Sequence, residues 1–218
     1  IALAKQRASK KGVIEGSSLA RGFAWLRPND LIWNYVVNNY LLGDDPPAFD
    51  ILFWNADATN LSGSLMSDFL DLFEANAYAD PGKFDIAGHT LDLTNVKGDM
   101  FILGGTTDHI TPWQACYRST QLFGGKNIDF ILSQAGHMQS ILNPPGNPKA
   151  KYWRYTKGGK PPKDVKEWMK GTEEVAGSWW PYWIEWLQKR AGKQVAAKAV
   201  GSKAHPPMEN APGLYVLD

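Results

Sequence analysis

Hydrophobic and polar positions follow two different periods along this 218-residue chain. In the first third, apolar residues recur three and four positions apart, which predicts helices at about residues 17–25, 29–40 and 64–75. Pro28 ends the first predicted helix, and Gly43 with the Pro46–Pro47 pair ends the second. The first part of the chain is therefore expected to be helical.

The pattern changes near Phe84. Residues 83–93 alternate between apolar and polar around a predicted Gly-His turn, which is typical of a hairpin. Two short apolar runs, at 100–104 and 128–132, predict buried strands, and Pro112 begins a predicted helix between them. A strand, a helix and a second strand in this order predict an α/β fold with a parallel sheet.

These patterns divide the chain into three regions. We predict a helical region at residues 1–84, a sheet domain at 85–190 and a flexible basic tail at 191–218. The sheet domain ends in a helix rich in tryptophan. Its tryptophans are expected to pack on the core, or alternatively to form an apolar interaction surface.

Charge and composition exclude several classes of function. The chain carries 23 basic and 22 acidic side chains, and this balance gives no general field that would hold a nucleic acid. The single cysteine, Cys116, excludes an internal disulfide and favours a cytoplasmic setting. No apolar run is long enough for a transmembrane segment. The opening residues, "IALAKQRASKKG", indicate a piece of a longer protein.

The stretch "GGTTDHITPW", residues 104–113, places Asp108 just after one predicted strand, and His137 follows the next. Sites in open α/β sheets lie outside the carboxyl ends of the strands, so the two side chains are expected to meet there. A carboxylate that orients an imidazole allows it to take a proton from a nucleophile. Gly104–Gly105 and Gly136 are expected to let these loops turn tightly. The alternative is a helix-capping aspartate and a histidine that only hydrogen-bonds its loop.

The order Asp then His is that of α/β-hydrolases, in which the nucleophile comes first. No Gly-x-Ser-x-Gly or Gly-x-Cys-x-Gly elbow occurs in the chain. Cys116 lies on the helix that follows Asp108, and we expect it to be a buried, inert thiol. Asp108, His109 and His137 lack a fourth ligand for zinc, so no metal site is expected.

Five blocks together resemble one family. They are "LRPNDLIWNYVVNNYLLGDDPPAFDILFWNADATNL", "GGTTDHITPW", "GHMQSILNPPGNPKA", "GSWWPYWIEWL" and "APGLYV". In this order they resemble the C-terminal portion of a polyhydroxyalkanoate synthase. The resemblance implies the last part of an α/β-hydrolase core, with residues 1–84 as a helical cap and the nucleophile-elbow half outside this chain.

The implied activity joins (R)-3-hydroxyacyl-coenzyme A units into a growing polyester and releases coenzyme A, with no cofactor. By the family motifs, Asp108 and His137 are two members of a Cys-His-Asp triad whose cysteine lies upstream, so the fragment alone is expected to be inactive. Asp108 either orients His137 or activates the 3-hydroxyl group. His109 is a possible supporting residue, or a solvent-facing histidine. Trp54 either lines the acyl channel or packs inside the cap.

The resemblance also implies a cytoplasmic enzyme that associates with polymer granules and forms a homodimer through its cap. Two other functions stay open. One is an esterase or depolymerase of the α/β-hydrolase type with an upstream serine. The other is a granule-binding module without catalysis.

Overall fold

The computed structural model describes residues 5–6, 10, 12–26, 28–46, 57–210 and 213–214. The chain divides into two compact units, Ile1–Ala75 with Ala197–Asp218, and Asn76–Ala196. The assignment of residues 1–84 to a cap, 85–190 to a core and 191–218 to a tail stays a prediction. No helix in the described part of the chain is both long enough and apolar enough to cross a membrane.

The first unit is helical, as the apolar spacing predicts. Its elements are strand β1 (Val13–Ile14), helix α1 (Gly16–Leu26), two π-helical segments (Asn29–Trp33 and Val36–Leu41), strand β2 (Leu61–Ser62) and helix α2 (Gly63–Ala75). The second predicted helix therefore forms, but as two π-helical segments. The strands β1 and β2 pair antiparallel and bring the starts of α1 and α2 together.

The second unit begins with a short 3₁₀ helix, Ala77–Ala79, and a hairpin of β3 (Asp85–Ile86) and β4 (His89–Thr90). The hairpin is confirmed, but its turn is at Ala87–Gly88 and not at the predicted Gly-His pair. Both turn residues have positive φ, 50° and 79°, as two-residue hairpin turns of type I′ require. A second 3₁₀ helix, Leu93–Asn95, leads to the main sheet.

The main sheet has four strands in the order β5 (Met100–Gly105), β6 (Ile128–Ser133), β7 (Lys151–Tyr155) and β8 (Thr172–Ala176). Helix α3 (Trp113–Ser119) connects β5 to β6, and these two strands are parallel, as predicted. The pairs β6–β7 and β7–β8 are antiparallel, so the sheet is mixed. The sequence interpretation missed β7 and β8, because the lysines and glycines around them obscured their alternating pattern.

Helices α4 (Val165–Lys170) and α5 (Trp180–Gln188) complete the second unit. One core cluster joins four buried side chains: Tyr117, Phe130, Leu132 and Trp168. A second joins Ile131, Tyr152 and Trp179, with side chains of β5 and α5 packed against it. Successive residues of β6 alternate between the two clusters, so this interior strand carries a core on each face.

Candidate functional site

The structure brings Asp108 and His137 together at the carboxyl edge of the sheet. Parallel pairing sets Gly105 opposite Ser133, so β5 and β6 end side by side. Asp108 follows three residues after β5 and His137 four residues after β6. The distance between His137 Nδ1 and Asp108 Oδ2 is 2.8 Å, which is a hydrogen bond.

Asp108 is held by its own turn. Its Oδ1 accepts hydrogen bonds from the backbone N–H groups of Ile110 and Thr111, both at 2.9 Å. Its Oδ2 accepts the Thr111 hydroxyl at 2.7 Å in addition to His137. Only 6% of the Asp108 side chain is exposed. Burial raises the pKa of this carboxyl, but the hydrogen bonds from Thr111, His137 and Ile110 outweigh it and lower the pKa to about 2.

This contact fixes the position of the proton on His137. An ionised carboxylate can only accept, so the Nδ1 atom of His137 must carry the hydrogen of the 2.8 Å bond. The neutral imidazole then presents Nε2 as an acceptor. The His137 side chain is 37% exposed, so the ring is open to a partner that approaches from outside the unit. The pair is therefore arranged to receive a proton at Nε2.

The loop before His137 contains an unusual backbone conformation. Ala135 has φ 104°, which non-glycine residues rarely adopt. Thr106 Oγ1 accepts the Ala135 N–H at 3.1 Å, and the Ala135 carbonyl accepts the Thr107 N–H at 3.2 Å. The sequence interpretation assigned the tight turn to Gly136, but φ is positive at Ala135 and not at Gly136. The two hydrogen bonds to the loop after β5 hold Ala135 in this conformation.

The glycines before Asp108 also act differently from the prediction. Gly104 and Gly105 are the last residues of β5, and neither has positive φ. A Cβ atom on Gly105 would lie 2.8 Å from Ser140 Oγ and 2.9 Å from the Ala135 carbonyl oxygen. Gly105 is therefore needed for the close approach of the His137 loop to the sheet, and not for a turn. The sequence shows the glycine but not that Ala135 and Ser140 lie against it.

The other predicted site residues are not part of this pair. His109 is exposed, and within the described residues its ring makes no hydrogen bond, so its supporting role stays a prediction. Trp54 lies outside the described residues. Asp108, His109 and His137 do not form a group that could hold a metal ion in the part of the chain that the structure describes.

Cys116 is half-buried in the first turn of α3, and its thiol contacts the Thr111 carbonyl at 3.6 Å. Burial raises the pKa of this thiol, and the charge of Asp108 raises it further. A thiol with a raised pKa is a poor nucleophile at neutral pH, because little thiolate is present.

A cavity of about 330 Å³ lies beside the loops that follow β5 and β6. Its polar lining side chains are Thr106, Thr107, Gln134, Gln139, Asn143, Asn147 and Lys149. Neither Asp108 nor His137 lines it. The proton-accepting pair and this cavity are therefore separate features of the same edge of the sheet.

The chain is similar to known proteins over nearly its whole length. A family model described as the alpha/beta hydrolase fold matches residues 2–144. Poly(3-hydroxyalkanoate) polymerase 1 of Ectopseudomonas oleovorans is 51% identical over 98% of this chain and 38% of its own length. Poly(3-hydroxyalkanoate) polymerase 2 of the same organism is 49% identical over 100% of this chain and 38% of its own length.

A more distant relative, poly(3-hydroxyalkanoate) polymerase subunit PhaC of Cupriavidus necator, is 42% identical over 94% of this chain and 34% of its own length. The chain therefore spans little more than a third of the length of these relatives. The matches confirm the resemblance and the α/β-hydrolase fold class that the sequence blocks predicted.

Proposed function

We propose that this chain, which belongs to the α/β-hydrolase fold family, is the Asp- and His-bearing part of an acyltransferase. The complete enzyme would polymerise (R)-3-hydroxyacyl-coenzyme A into a polyester and release coenzyme A. The observation that carries the proposal is the 2.8 Å contact between Asp108 and His137 at the carboxyl ends of parallel strands. The names of the similar polymerases support the substrate class.

His137 would act as the general base. Its Nε2 takes the proton from a cysteine thiol that lies upstream of this chain, and the thiolate attacks the carbonyl carbon of the acyl-coenzyme A thioester. The bond from that carbon to the coenzyme A sulfur then breaks. The leaving thiolate takes the proton back from the imidazolium, which frees coenzyme A and leaves the acyl group on the cysteine. Exchange between two thioesters is nearly balanced in energy, so a cysteine nucleophile suits this reaction.

Asp108 would orient His137 and stabilise the imidazolium, and not act directly on the 3-hydroxyl group. Both of its oxygens already accept two hydrogen bonds each, from Ile110, Thr111 and His137. A carboxylate with a pKa of about 2 is also a weak base at neutral pH. This argument favours one of the two roles that the resemblance left open.

The setting of the complete protein belongs to the same proposal. We infer that the complete protein is a cytoplasmic homodimer that associates with polymer granules. We also infer that this fragment alone has no turnover. Exposed apolar side chains within Ile1–Ala75 support the inference that this part of the chain meets an apolar surface. The large ones include Phe23, Trp25, Trp33, Tyr40, Leu41, Leu42 and Phe73.

The test is thiol-selective alkylation of the full-length protein in a Cys116→Ala background, with release of coenzyme A as the measurement. The variant removes the only thiol of this chain, so any remaining sensitivity reports a cysteine elsewhere. We expect near-normal turnover before alkylation and nearly complete loss after it.

Each alternative gives a different result. Turnover that survives alkylation in the wild-type protein and in the Cys116→Ala variant would indicate a serine nucleophile and an ordinary hydrolase. Sensitivity that disappears with Cys116→Ala would show that Cys116 is the reactive thiol. Granule binding without any release of coenzyme A would leave a non-catalytic module.

A further inference from the structure

Two consecutive tryptophans at the start of α5 hydrogen-bond the segment that follows His137. Trp179 Nε1 donates to the Ser140 carbonyl at 2.9 Å, and Trp180 Nε1 donates to the Ile141 carbonyl at 3.0 Å. The donors lie 39 residues from their acceptors along the chain. No sequence pattern predicts this contact, because periodicity places the tryptophans on a helix face but does not identify what their N–H groups reach.

The acceptors are the free carbonyls of a short helical turn. Within it, the Ser140 N–H donates to the Gly136 carbonyl and the Leu142 N–H to the Met138 carbonyl, both at 2.9 Å. The Ser140 hydroxyl also donates to the His137 carbonyl at 3.3 Å. A helical turn that ends here leaves its last carbonyls without partners inside the turn. The two indoles supply partners at this end, and the turn carries His137 near its beginning.

The indoles are themselves held in place. Trp179 is 7% exposed and packs with Ile131 and Tyr152 of the sheet. Its ring centre lies 5.9 Å from that of Phe101 on β5. The Gly177 N–H donates to the Ala150 carbonyl at 2.7 Å, which ties the approach to α5 to the residue before β7. Trp179 therefore belongs to the packed core, and Trp180 packs against the same cluster from a partly buried position.

We propose that Trp179 and Trp180 are positioning residues for His137. Their hydrogen bonds fix the turn at residues 136–142, and the turn fixes the backbone from which the imidazole reaches Asp108. The inference rests on the proposed function, in which His137 is the general base. The structural part, that the indoles hold the turn, is measurable without any turnover.

The experiment uses Trp179→Phe and, separately, Trp180→Phe in the full-length protein. Phenylalanine keeps an aromatic ring but removes the N–H donor. We expect amide hydrogen exchange in a peptide covering residues 134–143 to be about five to ten times faster. We also expect kcat for release of coenzyme A to fall about tenfold while KM stays unchanged, since misplacement of a catalytic group affects the chemical step.

Trp168→Phe is the matched control. Trp168 is fully buried in the other core cluster, and its Nε1 has no hydrogen-bond partner among the described residues. This variant removes the same ring volume from the core without removing a hydrogen bond. We expect it to lower stability but to leave exchange at residues 134–143 and kcat near wild type. An equal fall in kcat here would overturn the inference, because general loosening would then explain the effect.

The remaining outcomes separate this inference from the proposed function. Unchanged exchange and kcat in both tryptophan variants, with turnover abolished by His137→Ala, would overturn the inference and leave the proposed function standing. Full turnover in His137→Ala would overturn the proposed function, whatever the exchange rates. Trp180→Phe keeps the test decisive if Trp179→Phe does not fold, since Trp180 is only partly buried.

Discussion

Asp108 and His137 meet in one hydrogen bond, but the chain positions them in opposite ways. Asp108 is fixed locally, since three of its four hydrogen bonds come from Ile110 and Thr111, two and three residues away. His137 is fixed from a distance. Its loop contacts the end of β5 at Gly105 and Thr106, and its following turn contacts the indoles that begin α5.

Because of this difference, the positions of Asp108 and His137 should respond differently to substitutions elsewhere in the molecule. An aspartate held by its own turn tolerates changes elsewhere in the molecule, because its hydrogen bonds form wherever that turn forms. A histidine held by distant elements depends on how the sheet packs against α5. Substitutions far from the site are therefore expected to act through His137 and to leave Asp108 in place.

The largest expected effect comes from breaking the pair itself. In the full-length protein, Asp108→Asn and His137→Ala should each lower release of coenzyme A by about 10³ to 10⁴, as loss of a triad member does. In Asp108→Asn, an amide N–H can face Nδ1 and leave the hydrogen on Nε2, where the ring no longer accepts a proton. Steady-state kinetics and circular dichroism would measure turnover and folding together.

Asp92→Asn provides the control for this pair of variants. Asp92 also accepts hydrogen bonds from the N–H and hydroxyl of a nearby threonine, Thr94, but it is only partly buried and no histidine among the described residues hydrogen-bonds it. We expect unchanged turnover. Near-normal turnover in either Asp108→Asn or His137→Ala would refute the catalytic assignment.

The next largest effect is expected from a substitution that crowds the loop before His137 and so tests whether the contact with β5 holds that loop. Gly105→Ala should lower the free energy of unfolding by about 3 kcal/mol, because its Cβ meets Ser140 and the Ala135 carbonyl, and a backbone carbonyl cannot move aside easily. Turnover should fall as well, since the His137 loop shifts. Denaturant unfolding and kinetics are the measurements.

Gly98→Ala is a suitable comparison, because a Cβ there meets no atom within 4 Å. We expect it to change neither stability nor turnover beyond a small amount. If Gly105→Ala behaved like Gly98→Ala, the close approach of the loop would not matter for the site.

The pH dependence of stability tests the local support of Asp108. Its pKa is lowered from 3.8 to about 2, so the ionised form stabilises the fold by up to about 2 kcal/mol above pH 4. That contribution is lost as the pH falls from about 4 to about 2, because in this range the unfolded chain takes up a proton at Asp108 while the folded carboxyl is still largely ionised. Acidification, and not alkali, is therefore expected to remove it.

The measurement is made in a His137→Ala background, so that the bonds within the turn are tested without the imidazole. There the bonds from Ile110 and Thr111 remain, and they should still hold the pKa of Asp108 below 3.8. The difference in unfolding free energy between His137→Ala and the double variant with Asp108→Asn should narrow only below about pH 4. A difference that does not change between pH 5 and pH 3 would show that the turn alone does not stabilise the carboxylate.

The same contrast explains what the sequence could predict. The strands β5 and β6, the helix between them and the meeting of Asp108 with His137 follow from local patterns and from the rule for parallel strands. The role of Gly105 and the indole contacts could not be predicted, because they join residues about 30 to 40 positions apart that no period connects. The strands β7 and β8 were missed because the lysines and glycines around them obscured their short alternation.

The smallest expected effect concerns Ala135, whose φ of 104° is imposed by its distant contacts and not by its own preference. Ala135→Gly should raise the free energy of unfolding by about 0.5 to 1 kcal/mol, because glycine adopts positive φ without steric cost. Ala87→Gly, at φ 50° in the β3–β4 turn, should do the same far from the pair. Turnover should stay within about twofold in both, because Thr106 and Thr107 still hold the backbone of residue 135. A lower unfolding midpoint for Ala135→Gly alone would mean that the alanine side chain itself supports the loop, and that His137 is held more locally than the contacts indicate.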